Sequence, residues 1–173
     1  MLTPCTPEFL SSLDAAHSGL LRAVAPHDVE EPRGRWQGVA AAVACPRTTA
    51  EVAAVVAACG QAGVGIVPMG GGTGLVGGQI MPDGPAPLVL SMERMTASRG
   101  AYPSENVLVV EAGMVLADVQ AAADRLDRLF PLSLASEGSA RIGGNLAANA
   151  GGLNVLRYGT RRDLCLGLEA VMP

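Results

Sequence analysis

Residues 65–78 read Gly-Ile-Val-Pro-Met-Gly-Gly-Gly-Thr-Gly-Leu-Val-Gly-Gly, a short apolar run that opens into a loop with glycine at 70, 71, 72, 74, 77 and 78. Six missing Cβ atoms in nine positions make positive φ accessible, at a large loss of chain entropy on folding. A chain tolerates that loss where its backbone must approach something closely. Successive peptide N–H groups in such a loop form a concave anion site, so phosphate or pyrophosphate is the expected partner. A plain linker would not start directly from a β-type run and carry Thr73 and Leu75 at its centre.

The glycines are unevenly placed. Of 22 in the chain, ten lie between Gly60 and Gly84 and six between Gly138 and Gly159. The second cluster, Ser136 to Gly159, also carries Asn145, Asn149 and Asn154. Two such segments suggest two backbone surfaces addressing one ligand. A short helix starting near Gly143 would present N–H groups at its amino end, with Asn145 and Asn149 on one face.

The 173 residues suit one domain or two small lobes. All twelve basic residues are Arg, which excludes a phosphate-binding or Schiff-base lysine. A net charge of −4 with no basic run argues against nucleic acid as the partner. Cys5, Cys45, Cys59 and Cys165 show no close metal spacing and read as reduced thiols, which fits a cytoplasmic protein. His17 and His27 read as surface residues. The chain shows neither a leader pattern at its start nor an apolar run long enough for a membrane span.

Local signals predict a sequence of short elements. Thr6-Pro7-Glu8 is a helix start, and apolar spacing from Phe9 carries that helix to about Val24, where Pro26 ends it. Residues 27–38 read as a loop in which Trp36 is a packed anchor. A strand over 39–45 is followed by the capping box Thr48-x-x-Glu51 and a helix burying Val52, Val55, Val56 and Cys59, closed by Gly60 and Gly63. Strands are expected at 66–67 and 88–91, a turn at 92–95, and a strand buried on both faces at 107–110. A helix is expected over 116–129, and a last strand over 165–172. The ending at Val171-Met172-Pro173, with no polar tail, reads as a fragment or a shortened form.

Gly72-Thr73-Gly74-Leu75-Val76-Gly77 fits the spacing of a Rossmann nucleotide turn, whose mechanism needs a helix to open at the loop. Residues 78–87 contain three prolines and two glycines, which cannot make that helix. Walker-type phosphate binding fails for want of a lysine. No catalytic residue is assigned, because both histidines lie in the amino-terminal part and Glu137 and Asp163 read as solvated acids.

Pro68-Met69-Gly70-Gly71-Gly72-Thr73-Gly74-Leu75-x-Gly77-Gly78 resembles the pyrophosphate loop of FAD-linked oxidases of the vanillyl-alcohol oxidase and p-cresol methylhydroxylase type. Ile142 to Gly152, followed by Arg157-Tyr158-Gly159, resembles that family's second FAD-contacting segment. The likeness runs from about residue 39 to 171 and is nearest to the D-2-hydroxyacid dehydrogenases, the D-2-hydroxyglutarate, D-lactate and glycolate-oxidising flavoproteins. It implies an α+β, two-lobe FAD-binding domain, the amino-terminal part of a larger enzyme, with the dinucleotide between the lobes. Residues 1–35 would form an amino-terminal helix and loop. Lobe one would cover about 36–95 and lobe two about 96–173, with the carboxy-terminal substrate domain absent.

Carried over residue by residue, the resemblance gives Gly70, Gly71, Gly72, Thr73 and Gly74 the pyrophosphate, flanked by Pro68 and Leu75. Gly143, Gly144, Asn145, Ala148, Asn149 and Gly152 would line the flavin and its ribityl–diphosphate stem, with Ser136, Gly138, Ser139 and Gly159 nearby. The loop has no His or Cys for covalent attachment, so FAD is expected to be non-covalent. The implied oxidoreductase would take hydride from C2 of a small 2-hydroxy acid, and the resemblance also admits a homodimer. Two alternatives stay open. One is a stand-alone FAD or nucleotide-binding module, or a truncated lobe, without turnover of its own. The other is a relative with different chemistry, such as an enolpyruvyl-sugar reductase or a molybdenum hydroxylase flavoprotein.

Overall fold

The computed structural model describes residues 2–173, which divide into two compact units, residues 2–94 with 170–173 and residues 95–169. The first unit is built on a four-stranded sheet in the order β1-β2-β4-β3. Its strands are β1 (Leu21–Arg22), β2 (Ala42–Ala44), β3 (Ile66–Met69) and β4 (Leu88–Ser91). β2 and β3 run parallel to the central β4, whose four residues are all buried, while β1 pairs antiparallel to β2. An apolar run without alternation is what a strand covered on both faces requires. Pro68 is accommodated because β3 is an edge strand, where a missing N–H breaks no central ladder.

Helix α3 (Thr49–Ala62) joins β2 to β3 and begins as expected, with the Thr48 hydroxyl accepting from the Glu51 N–H at 3.1 Å. The Glu51 carboxylate accepts in turn from the Arg47 N–H at 2.7 Å. Val52, Val55 and Cys59 are buried, Val56 only half so, and Gly63 closes the helix at φ 67°. The core nearby gathers Val43, Cys45, Met69 and Val89. Burial holds the Cys45 and Cys59 thiols up at about 11, with the Glu93 carboxylate adding to the effect at Cys45.

Several sequence expectations change here. Helix α1 covers only Pro7–Ala16, because Gly19 turns at φ 72° and Leu21 and Arg22 join the sheet opposite Ala44 and Val43. Pro26 starts the short helix α2 (Pro26–Val29) rather than ending a long one, in keeping with its preset φ. The strand expected over 39–45 keeps only its last part. Trp36 is 49% exposed, so it is not a core anchor.

The second unit carries a two-stranded antiparallel sheet, β5 (Ser98–Tyr102) with β6 (Val107–Val110), and helix α4 (Leu116–Asp124). β5 is unexpected from its polar, glycine-containing sequence. β6 is half exposed rather than doubly buried, because one strand is its only partner among the described residues. The α4 helix stops before Arg125, and Leu129 is exposed. Leu116, Val119, Leu132, Ala140 and Ile142 form the core of this unit. α5 (Ile142–Ala147) and α6 (Val155–Tyr158) follow, then a single 3-10 turn over Arg162–Leu164. The strand expected over 165–172 is absent: that apolar run finds no partner strand among the described residues, and Leu166, Leu168 and Met172 are exposed.

Candidate functional site

In the first unit, edge strand β3 delivers the chain into the glycine loop, and Gly72 and Gly77 turn at φ 66° and 74°. Among the described residues, the N–H groups from Gly71 to Gly78 donate to no backbone carbonyl. The loop is half buried from Gly70 to Thr73 and exposed from Gly74 to Val76. Its shape is held by side chains. The Gln79 amide donates to the Gly74 carbonyl at 2.8 Å and reaches the Gly72 carbonyl at 3.4 Å. A Cβ at Gly77 would meet the Trp36 ring at 3.2 Å, so the indole lies directly against the loop. No helix opens after the loop; residues 79–87 are turn and extended chain leading to β4.

A partly buried ionic network around the buried Asp28 stands in the same unit. Arg22 forks onto both carboxylate oxygens of Asp28 at 2.7 and 2.8 Å, and onto both of Glu93 at 3.1 Å each. Burial would raise the pKa of Asp28, but the Arg22 guanidinium and the Ala25 N–H outweigh it and hold the carboxyl below its ordinary range. Arg22 does the same for Glu93 against a smaller burial effect. The network fixes the short segment before His27, whose carbonyl lies 3.8 Å from where a Cβ at Gly72 would sit.

In the second unit, the glycine-rich segment starts from an isolated bridge between Val115 and Arg141. The N–H groups of Ile142 and Gly143 already donate, to the Met114 and Ala112 carbonyls at 3.0 and 2.8 Å. The start of α5 therefore offers fewer free donors than its sequence suggests. A Cβ at Gly143 would meet that of Ala112 at 2.8 Å, so glycine is demanded there by close backbone packing. Ser136 closes a turn by accepting from the Ser139 and Ala140 N–H groups, and Gly138 faces open space. Asn149 has left the helix at φ 48°, so it does not share a helical face with Asn145, and its Oδ1 accepts from the Arg162 N–H. Gly152 turns at φ 75° over the Ser133 carbonyl, and Gly159 turns at φ 78° against Asp163.

Two polar side chains stand out. Asn145 is 5% exposed and its Nδ2 has no partner; Arg161 is 3% exposed and neither Nε nor one terminal nitrogen has one. Arg161 escaped the sequence reading because nothing in the Arg161-Arg162 pair marks one of the two as buried. Gln79 escaped because its role depends on what the chain places beside it, whereas Trp36, read as a packed anchor, packs its ring against Gly77.

The family model described as an FAD binding domain matches residues 40–173. The chain belongs to that family. It is 42% identical over 137 residues to a D-2-hydroxyglutarate dehydrogenase of Xanthomonas citri pv. viticola, covering 79% of this chain and 29% of that protein. It is 38% identical over 153 residues to a mitochondrial D-2-hydroxyglutarate dehydrogenase of Bos taurus, covering 85% and 27%. Among solved structures, an alkyldihydroxyacetonephosphate synthase superposes with a TM-score of 0.81 at 22% identity, covering 95% of this chain and 32% of that one. This FAD-binding domain therefore has the fold of the FAD-linked oxidases and spans under a third of the relatives it matches.

FAD is its cofactor, and the residues present fit the group. The diphosphate needs donors, and the first unit supplies unspent N–H groups along a loop held open at Gly72 and Gly77. The second unit supplies buried donors lacking acceptors at Asn145 and Arg161. No helix of the domain is long and apolar enough to cross a membrane.

Proposed function

We propose that this FAD-binding domain is the cofactor-holding part of a flavin-dependent enzyme that oxidises a D-2-hydroxy acid to a 2-oxo acid. The observation carrying this reading is the 42% identity to a D-2-hydroxyglutarate dehydrogenase over 137 residues, 79% of this chain. When bound, FAD supplies the hydride acceptor at flavin N5. The chain supplies binding and orientation. Amides from Gly70 to Gly74, with the Thr73 hydroxyl and flanking Pro68 and Leu75, would hold the pyrophosphate without a lysine. Gly143, Gly144, Asn145, Ala148, Asn149 and Gly152 would line the flavin and its stem. Ser136, Gly138, Ser139 and Gly159 would shape the surrounding turns.

The substrate walls and the base that takes the hydroxyl proton are assigned to parts of the larger enzyme beyond these residues. Turnover by residues 1–173 alone is not expected. A cytoplasmic location, a homodimer and a lobe division near residue 95 belong to the same proposal. FAD is expected to be non-covalent, since the loop offers no His or Cys.

Titrating the purified chain with FAD should give saturable, stoichiometric binding with a shifted flavin spectrum, and acid precipitation should release all of the flavin into solution. Absence of binding at high FAD concentration would sink the proposal for this chain. For the larger enzyme, reduction of bound flavin by D-2-hydroxyglutarate, D-lactate or glycolate under anaerobic conditions is the deciding assay. Lack of reduction by every D-2-hydroxy acid tried would remove the substrate class and leave the cofactor site standing.

A further inference from the structure

The buried Arg161 guanidinium of the second unit leaves two of its three nitrogens without a hydrogen-bond partner. Arg161 is 3% exposed, and its Nε and one terminal nitrogen meet no acceptor. A buried unpaired charge is among the most destabilising features a domain can carry, and an apolar side chain of similar volume would serve packing better. Burial also depresses the Arg161 pKa from its ordinary value. Its guanidinium carbon lies 4.3 Å over the Phe130 ring, a cation–π contact that favours one orientation of the planar fork.

Its backbone joins the segment that carries the other orphaned donor. The Ala150 N–H donates to the Asn145 carbonyl at 2.9 Å, and the Arg161 N–H donates to the Ala150 carbonyl at 3.1 Å. Asn145 Nδ2, also buried, lacks an acceptor as well. Two donor side chains left unpaired in one hydrogen-bonded stretch of backbone point to an absent acceptor rather than to two independent faults in packing.

We propose that Arg161 is a cofactor-binding residue, donating its unpaired guanidinium N–H groups to an anionic oxygen of bound FAD. The inference rests on the family reading that the Ile142 to Gly152 segment serves FAD, and adds a charged residue to a site otherwise built from amides. FAD offers anionic oxygen at its diphosphate and, once reduced, at the pyrimidine edge of the flavin. The chemistry is shared, and the source is an experimental matter.

The test uses the whole chain and two substitutions, R161M and R161Q, titrated with FAD and with ADP. Loss of a charge-assisted hydrogen-bond pair should weaken FAD by about tenfold or more in both variants. If ADP weakens in parallel, the diphosphate is the partner; if ADP is unchanged while FAD weakens, the flavin is. Melting of the protein without cofactor is the second readout. R161M should melt at or above the parent temperature, since it removes an uncompensated buried charge, and a purely structural arginine would show the reverse. Should R161M fold poorly, R161Q decides, since it keeps hydrogen-bonding capacity without charge. FAD affinity within twofold of the parent in R161Q overturns the proposal. A parent chain that binds no FAD overturns the underlying reading instead, and is seen before any variant is made.

Discussion

In the first glycine-rich segment the backbone N–H groups are unspent, and the glycines face open space or the ends of side chains such as Met69, Gln79 and Trp36. In the second, Gly143 and Gly152 are pressed against the chain's own backbone at Ala112 and Ser133, and the first amides of α5 are already in use. Glycine enrichment thus arises from different causes in the two segments. In one loop glycine leaves the amides unspent, and in the other it lets two stretches of chain touch. The second segment compensates with side chains, presenting buried donors at Asn145 and Arg161 where the first presents peptide groups.

This contrast can be broken at several points. The largest effect is expected in the framework under the first loop. Arg22→Met would leave the fully buried Asp28 carboxylate without its cation, and should cost about 3–5 kcal/mol in urea unfolding. A loss below about 1 kcal/mol would show that the loop's setting does not depend on the network.

Next comes Gly152→Ala, whose Cβ would strike the Ser133 carbonyl at a positive φ. It should cost about 2–4 kcal/mol from overpacking and strain together. A near-neutral result would mean that the second segment relaxes easily, and the distinction between the segments would fail.

The Arg22 network also sets a pH dependence. Asp28 and Glu93 are both held below their ordinary pKa values in the fold. Their contribution is therefore full above the unfolded-state pKa values, about 4, and is lost as pH falls through the lower folded values. Parent stability should be level from about pH 7 to 5 and decline below that, whereas Arg22→Met should show a flatter acid limb.

Gly72→Ala separates binding from folding in the first loop. A side chain at φ 66° costs about 1–2 kcal/mol of stability, with FAD weakened about tenfold or more by calorimetry. Gly78→Ala is the smallest effect: its Cβ meets nothing, and stability should change by about 0.5 kcal/mol or less. If the two variants bind FAD equally, the special geometry at Gly72 is not what the cofactor uses.

Elements written in local chemistry were legible in advance. The Thr48 cap, the buried stripe of α3 and its glycine close depend on residues within a few positions of each other. The absence of a helix after the glycine loop followed from its prolines. Elements that depend on a partner were not legible. Leu20 and Leu21 continue the helical spacing of α1, yet Leu21 belongs to β1 because Ala44 is available to pair with it. β5 forms from Ser-Arg-Gly-Ala-Tyr because β6 lies alongside, and the apolar run after Leu164 remains unpaired.

The sequence by itself pointed to a phosphate-bearing cofactor and to backbone amides as its expected donors. The lack of lysine excludes a phosphate-binding lysine, and the two glycine-rich segments favour amides. The segments' order and residues were enough to show the family resemblance. Only the tertiary structure decided which amides remain free, which glycines serve the chain's own packing, and that Arg161 is buried without a partner. The reason is physical: glycine spacing is local and survives in the sequence, whereas a spent hydrogen bond or an orphaned charge exists only once distant residues are brought into contact.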